Sequence, residues 1–299
     1  MTRMRPEAYP QPMHNPTLSA GLGIHNPPLC PPWRRSFLTL CLLAVVAQSG
    51  CATVVNRKDR ESARIAYDLG ITAFDRGDSR EALRGLLSAV RLDPTLAEAH
   101  NALGLLYHGM GKEAEALVHY EEATRLRPTF SEAFNNKGIL LLDMGRYDEA
   151  IAAFEVALQD ILYTTPTLAE GNLGWAYYRK GEVALAKERI GSAVASDPKF
   201  CRGYEWLMRI ALDADDGTEA VAQGNRFLRH CANNKALADV LSADYLREMN
   251  YYLAMGHLKL GHVGEAAALL SKCADQEDAP PKSPAARCAA ALKPLQAAN

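Results

Sequence analysis

The side chains of this 299-residue chain that could act as nucleophiles, bases or metal ligands include seven cysteines and eight histidines. The histidines are scattered: His100 and His257 fall in apolar helical patterns, and three others have no second histidine or cysteine three or four residues away, namely His119, His230 and His262. The sequence contains no GxxxxGKS/T, GxSxG, HExxH or CxxC motif, the spacings that nucleotide-binding, hydrolytic and zinc sites need. We therefore predict no catalytic centre, no metal site and no cofactor.

The first 50 residues indicate a leader rather than part of a fold. The stretch WRRS (33–36) supplies positive charge, and an apolar run of 11 residues follows at 37–47. Such a run is shorter than the ~20 residues that span a bilayer, and it is typical of a secretory signal. The stretch QSGC (48–51) resembles a bacterial lipobox, which implies cleavage before Cys51 and lipidation of that cysteine. Ala52 then implies sorting to the outer membrane. Plain cleavage with a free Cys51 is the alternative.

The charge balance excludes a nucleic-acid binder. The chain holds 33 basic and 35 acidic residues, for a formal net charge of −2. The leader carries four basic residues and one acidic residue, so residues 51–299 carry a net charge of −5. A protein that neutralises phosphates normally presents a strongly basic face.

A repeat of 34 residues organises the chain beyond the leader. With Ala97 as position 1, small, aliphatic or aromatic residues occupy positions 7, 8, 11, 20, 24 and 27. The first three form one stripe of a helix. Gly111 ends that helix, and Pro128 at position 32 stops the second helix from continuing. This pattern resembles the tetratricopeptide repeat, which is two antiparallel helices in 34 residues.

The same spacing recurs along the chain and predicts an all-α, right-handed α-solenoid of about six tetratricopeptide helix hairpins. Repeat 5 is degenerate, because Met208 replaces the usual glycine and Gly224 replaces the usual large residue. Two inserted residues predict a longer turn over 159–166, and 235–246 predict a helix extension. The predicted parts are a leader (1–50), a linker (51–62), a solenoid (63–274) with repeats at 63–96, 97–130, 131–166, 167–200, 201–234 and 247–280, and a Pro-rich tail (275–299) with a short capping helix from 286 to about 292.

Four cysteines lie beyond position 51, which allows three disulfide pairings. The repeat register places Cys201 at the start of one helix and Cys231 at the end of its antiparallel partner. Both therefore lie at the same end of one hairpin. Cys273, near the end of the last hairpin, would then pair with Cys288 in the tail. Disulfides suit an oxidising compartment, and buried free thiols are the alternative.

The residues that the repeat does not need for its own packing indicate where a partner binds. By resemblance to the tetratricopeptide family, positions 2, 5, 9, 12 and 13 of each first helix face the concave side. In repeats 1–4 they predict an apolar track, edged by Asp75, Asp143 and Arg179, in which Asn101 and Asn135 hydrogen-bond a partner backbone. The alternative is that positions 9 and 12 pack within the hairpin or against a terminus of the same chain. The predicted groove residues are Tyr67, Ile71, Phe74, Asn101, Leu105, His108, Asn135, Ile139, Leu142, Trp175 and Tyr178.

The combination of these features resembles the type IV pilus pilotin lipoproteins (the PilF/PilW/Tgl group), which help the secretin ring reach the outer membrane and assemble. The resemblance rests on QSGC (48–51), on six repeats, on the Asn-x-x-Gly helix starts at Asn101 and Asn135, and on TTPTLAEGNLGWAYY (164–178), YEWLMRIAL (204–212) and RFLRHC (226–231). It implies a non-enzymatic monomer, lipid-anchored on the periplasmic face of the outer membrane, whose groove binds a secretin subunit. An adaptor lipoprotein for peptidoglycan hydrolases or for a tight-adherence pilus system is the alternative that these residues leave open.

Overall fold

The computed structural model describes residues 55–238, 240–274 and 280–297, so the leader, Cys51 and residues 275–279 lie outside the described residues. Within the described ranges all regular structure is helical, as predicted. The helices are α1 (Arg57–Asp75), α2 (Ser79–Leu92), α3 (Ala97–Gly109), α4 (Glu113–Leu126), α5 (Ser131–Asp143), α6 (Tyr147–Leu158), α7 (Pro166–Lys180), α8 (Val183–Ser196), α9 (Cys201–Asp213), α10 (Gly217–Phe227), α11 (Lys235–Ala238), α12 (Ala243–Lys259), α13 (Val263–Ala274) and α14 (Pro284–Ala297). A five-residue π-helical turn, Leu228–Ala232, follows α10.

These helices form six antiparallel hairpins, one for each predicted repeat. The first helices are α1, α3, α5, α7, α9 and α12, and the second helices are α2, α4, α6, α8, α10 and α13. Each first helix packs on its own second helix and on the second helix of the preceding repeat, and successive first helices also contact one another. Successive second helices do not make comparable contacts among the described residues. The first helices therefore line the inner surface of the solenoid, and the second helices lie outside.

The turn inside each hairpin depends on one backbone conformation at position 15. Five repeats place glycine there, with φ between 70° and 98°, the left-handed region that a side chain disfavours. Repeat 5 instead places Asp215 there, with φ of 60°. The turn geometry is therefore kept in the degenerate repeat without the residue that favours it.

Each hairpin is held close by one small and one large residue that face each other. In repeat 2, a Cβ added to Gly104 would lie 2.5 Å from Cδ1 of Tyr120, so only glycine fits beneath that ring. In repeat 5 the sizes are exchanged, with Met208 on the first helix and Gly224 on the second. A Cβ on Gly224 would lie 2.6 Å from Cδ1 of Leu253, from repeat 6. Repeat 5 therefore has a reversed size pair that its neighbour helps to fill.

Three predicted boundaries differ from the structure. Residues 57–62, predicted as linker, are the first turns of α1, because the Asn56 side chain accepts a hydrogen bond from the Asp59 N–H at 2.9 Å and caps the helix. Repeat 6 begins its first helix at Ala243, where Ser242 is the cap. The helix of the tail, α14, is longer than predicted and runs over Pro284–Ala297.

Two disulfides connect the cysteines in the pairing that the register predicts. Cys201 at the start of α9 bonds to Cys231, and Cys273 in α13 bonds to Cys288 in α14, with Cα atoms 5.8 Å apart in each pair. The first disulfide closes the ends of one hairpin, and the second fixes the tail helix onto repeat 6. Cys273 and Cys288 also belong to the core cluster of that repeat.

Candidate functional site

In repeats 1–3 the predicted apolar track is open at Phe74 and Leu105 and partly open at Ile71 and Ile139. Phe74 on α1 is 40% exposed and Leu105 on α3 is 38% exposed. Ile71, Ile139 and Tyr67 are half-buried and pack at the margins of the core clusters. We call Ile71, Phe74, Leu105 and Ile139 the open track. It presents aliphatic and aromatic surface on three successive first helices.

At Leu142 in repeat 3 and at Trp175 in repeat 4 the predicted track is closed, so the assignment of these two residues to an open groove is wrong. Leu142 is 6% exposed and Trp175 is 8% exposed. The Trp175 ring stacks on Trp206 from repeat 5, with centroids 5.3 Å apart and planes 12° apart. The Arg209 guanidinium lies 4.7 Å from the Trp175 ring centroid and covers it. The closing residues, Trp206 and Arg209, were not among the predicted site residues.

Asn101 and Asn135 are also buried, at 8% and 7% exposure, and their amide oxygens are already used. Asn136 Nδ2 donates to Asn101 Oδ1, and Asn172 Nδ2 donates to Asn135 Oδ1, each at 3.1 Å. Position 5 of one repeat thus bonds position 6 of the next. The prediction that these asparagines bond a partner backbone is wrong, because they join successive first helices instead.

A second set of polar contacts joins position 12 of one repeat to position 13 of the next. His108 Nε2 lies 3.1 Å from Asp143 Oδ2, and the Tyr178 hydroxyl donates to Asp213. Burial, followed by that hydrogen bond, raises the pKa of Tyr178 to about 12. Because these contacts recur between neighbours, they fix the spacing of the first helices at one border of the inner surface. His108 and Tyr178, both predicted as groove residues, are half-buried at this border.

The structure places two histidines in contact that the sequence analysis treated as unrelated. His100 on α3 is 7% exposed, and its Nδ1 lies 3.1 Å from Nδ1 of His119 on α4. The other nitrogen of His100 faces the Pro94 carbonyl at 3.2 Å. A carbonyl only accepts, so Nε2 of His100 carries the hydrogen and its Nδ1 accepts from His119. Burial lowers the pKa of both imidazoles, which makes this a neutral pair inside repeat 2.

The inner surface of repeats 5 and 6 carries charged side chains in addition to apolar ones. Glu205 on α9 pairs with Arg209 at 3.4 Å, and burial raises the pKa of the Glu205 carboxyl above its ordinary value. On α12, Glu248 accepts hydrogen bonds from the Tyr252 hydroxyl at 2.8 Å and from Arg287 of α14 at 2.9 Å. The tail helix thereby contributes to the inner surface of the last repeat.

No group of three or more histidine, cysteine or acidic side chains within the described ranges is arranged to hold a metal ion. None of the helices described is both long and apolar enough to cross a membrane.

Sequence comparison identifies the repeats directly. Family models described as TPR repeat and tetratricopeptide repeat match residues 70–111, 97–130 and 119–152. A search of curated protein sequences found no significant match.

Structure comparison gives matches over most of the solenoid. The crystal structure of PilW, titled a widely conserved type IV pilus biogenesis factor, matches with a TM-score of 0.62 and 23% identity, over 70% of this chain and 91% of that one. The pilF protein of Pseudomonas aeruginosa matches with a TM-score of 0.64 and 19% identity, over 81% of this chain and 100% of that one. MamA matches with a TM-score of 0.50 and 26% identity, over 59% of this chain and 94% of that one. The chain is thus a solenoid of tetratricopeptide repeats that shares the fold of PilW, a type IV pilus biogenesis factor, and of pilF, as its sequence predicted.

Proposed function

We propose that this chain is a lipid-anchored pilotin that binds secretin subunits on its inner surface and promotes their assembly in the outer membrane, for type IV pilus biogenesis and the motility that pili drive. The observation that carries the proposal is the open track of repeats 1–3 on a fold shared with PilW and pilF. The fold alone fits many partners, so the choice of partner depends on which segments this surface can hold.

The open track suits an amphipathic helix or an extended segment. Phe74 and Leu105 lie on neighbouring first helices and keep more than a third of their surface exposed. A partner that lays apolar side chains over them removes that surface from water, which is favourable by ~25 cal/mol for each Å². Beside the track, His108 and Asp143 supply polar groups. A newly secreted subunit with an exposed apolar segment is a partner of this kind.

The binding surface is preformed. Arg64 of α1 pairs with Glu98 of α3 at 3.6 Å, and the Asn101–Asn136 and His108–Asp143 contacts join α3 to α5. The spacing of the three helices that carry the track therefore does not have to be created when a partner binds. A preformed surface avoids part of the ordering cost of association. The scaffold therefore favours capture and release of a segment, with no chemistry on it.

The proposal includes a lipid on Cys51, which would be the N-terminus of the mature chain. Residues 52–56 would then be the whole connection between the lipid and α1, which begins at Arg57. A bacterial lipoprotein carries several acyl chains, and more than one chain is needed for stable anchoring. The short connection would hold the solenoid at the membrane surface.

The first experiment is deletion of the gene in its own host. We expect secretin subunits to remain present but to fail to form SDS-resistant multimers, and the full-length chain to restore them. Normal multimers in the deletion strain would contradict the proposal. Peptidoglycan hydrolases recovered with the tagged chain, in place of secretin, would instead favour an adaptor function.

The second experiment separates the open track from the fold. Phe74→Asp combined with Leu105→Asp introduces two carboxylates at exposed positions, so the helices should persist while secretin no longer co-purifies. Val118→Asp is the matched control, because Val118 is 63% exposed on α4, a second helix on the outer side. Both proteins should keep the wild-type circular dichroism spectrum. If the double variant retains secretin as well as the control does, the open track is not the binding surface.

A further inference from the structure

The three most exposed large apolar side chains of the described residues lie on turns between repeats. Ile161 is 95% exposed, Leu162 is 81% exposed and Val240 is 74% exposed. Ile161 and Leu162 lie between α6 and α7, and Val240 lies just before α12. All second helices end, and all first helices begin, at this edge, which we call the inter-repeat edge. The aliphatic side chains with the greatest exposure thus lie where one hairpin gives way to the next, and the next most exposed, Leu69, Val118 and Ile65, lie on helices.

The turn that carries Ile161 and Leu162 is ordered by its neighbours. Asp160 Oδ2 accepts a hydrogen bond from the Ser131 hydroxyl at 2.8 Å, and its Oδ1 accepts from the Leu162 N–H at 2.9 Å. Tyr163, the next residue, is 8% exposed and packs against Ala157 and Ala169. The two aliphatic side chains are therefore held outward by a turn that is fixed on both sides. A turn that only had to connect two helices would not need to present them to water.

The start of the solenoid lies at this same edge. Residues 52–56, between Cys51 and α1, span at most about 17 Å when extended. The first helices α1, α3 and α5 contact in succession. Packed helix axes lie about 10 Å apart, so the start of α5 is about 20 Å from the start of α1. Ser131 begins α5 and bonds the turn of Ile161. A lipid on Cys51 would therefore keep this turn within reach of the bilayer surface.

The inter-repeat edge carries exposed basic side chains that an anionic lipid surface would attract. The acidic side chains of these turns are engaged locally: Asp160 as described, and Asp197 with the Lys199 N–H at 2.8 Å. The basic side chains of Lys199 and Lys235 are exposed. Lys199 and Lys235 lie in connections between other repeats of the same edge, not in the turn of Ile161. Exposed basic and aliphatic groups that share one edge are the combination that binds an anionic bilayer interface.

We infer that Ile161 and Leu162 insert into the membrane leaflet that holds the lipid of Cys51, so that the inter-repeat edge faces the bilayer. This inference rests on the lipid anchor of the proposed function and adds a second contact to it. One flexible tether leaves the solenoid free to rotate, whereas a tether and an inserted turn fix two points. The open track would then be presented at a set angle to the membrane.

The test uses the full, acylated chain in vesicles of phosphatidylethanolamine and phosphatidylglycerol. An environment-sensitive fluorophore is attached at Ile161→Cys, without reductant so that the two disulfides stay intact. We expect its emission to shift to shorter wavelength on vesicle binding and to lose most of its intensity when the lipids carry a quencher in their acyl chains. The same fluorophore at Val118→Cys, also at an exposed position, should show neither change.

The outcomes distinguish this inference from the proposed function. If the chain floats with the vesicles but the Ile161→Cys probe keeps its emission in water, the anchor stands and the inserted turn is refuted. A chain that does not float has no anchor, which overturns the inference together with the lipid part of the proposed function. The deletion experiment measures secretin assembly separately. If it contradicts the proposed function, the vesicle result can still be interpreted.

Discussion

The inner surface of repeats 1–3 differs from that of repeats 4–6 although both follow one repeat pattern. In repeat 2, position 9 is Leu105, which stays 38% exposed, and position 6 of the following repeat is Asn136. In repeat 4, position 9 is Trp175, and position 6 of the following repeat is Trp206, which stacks on it. The comparison indicates that the size of position 6 in the next repeat decides whether position 9 is open to a partner or buried in the scaffold.

The two halves also differ in how they are cross-linked. Both disulfides lie in repeats 5 and 6 or the tail, together with the charged inner surface of Glu205, Arg209 and Glu248. In repeats 1–3 the polar contacts between first helices are side-chain hydrogen bonds and the Arg64–Glu98 ion pair. One half therefore offers apolar surface, and the other half stabilises the end of the stack.

The strongest test of this difference compares truncation of Trp175 with truncation of Leu105. Removal of a buried aromatic side chain costs roughly 3–5 kcal/mol of unfolding free energy, which we expect for Trp175→Ala. Leu105→Ala should cost only about 0.5–1 kcal/mol, because that side chain is partly solvated already. Urea denaturation followed by circular dichroism measures both. Equal losses would show that Leu105 is as much a part of the core as Trp175.

A second test removes the disulfide of repeat 5. The double substitution Cys201→Ala and Cys231→Ala opens a loop of 30 residues, which the chain-entropy model values at roughly 3–4 kcal/mol. Because each repeat contacts only its neighbours, hydrogen exchange should quicken in repeats 4–6 and stay unchanged in repeats 1 and 2. The matched control is Cys273→Ala with Cys288→Ala, whose effect should be confined to repeats 5 and 6 and the tail. Faster exchange throughout the chain would mean that the two halves are not independent.

The sequence was sufficient for the fold because the repeat constrains local and long-range packing together. The 34-residue spacing fixes which residues of each hairpin meet, and Gly104 with Tyr120 shows how closely. The start of α1 was missed because its first residues are charged and have no apolar stripe, so only the Asn56 cap marks it. From the sequence, Met208 and Gly224 make repeat 5 look degenerate. The space beside Gly224 is filled by Leu253, which belongs to another repeat.

The site was predicted less well than the fold. A position in the repeat pattern indicates which side of the helix a residue faces, but it does not indicate which other side chains cover it. Trp175 was placed correctly on the inner surface, yet its burial depends on Trp206, 31 residues later. The Asn101–Asn136 hydrogen bond could have been predicted from the sequence, because amide side chains at position 5 of one repeat and position 6 of the next occur twice. The pairing of His100 with His119 had a weaker signal, since it follows only from overlaying the two helices of one hairpin.

The last prediction concerns pH, to which the two halves should respond with opposite signs. In repeat 2, burial lowers the pKa of His100 and His119, so the neutral pair stabilises the fold above the ordinary histidine pKa. That stability is lost as the pH falls through the folded-state pKa values. In repeat 5, burial raises the pKa of Glu205, against the opposing charge of Arg209 and with the help of Glu248. Protonation of Glu205 therefore favours the fold, and this stabilisation is lost as the pH rises through its folded-state pKa.

On acidification from neutral pH to about pH 5, which crosses the ordinary histidine pKa of about 6.5, hydrogen exchange corrected for its intrinsic rate should therefore quicken in α3 and α4 and slow in α9. The double substitution His100→Gln and His119→Gln should abolish the first change alone, and Glu205→Gln should abolish the second change alone. These substitutions keep a polar side chain of similar size, so each hairpin should stay folded. If hydrogen exchange in α9 quickens along with that in α3 in the wild-type chain, burial does not dominate the ionisation of Glu205. Glu205 and Arg209 then behave as a solvated ion pair.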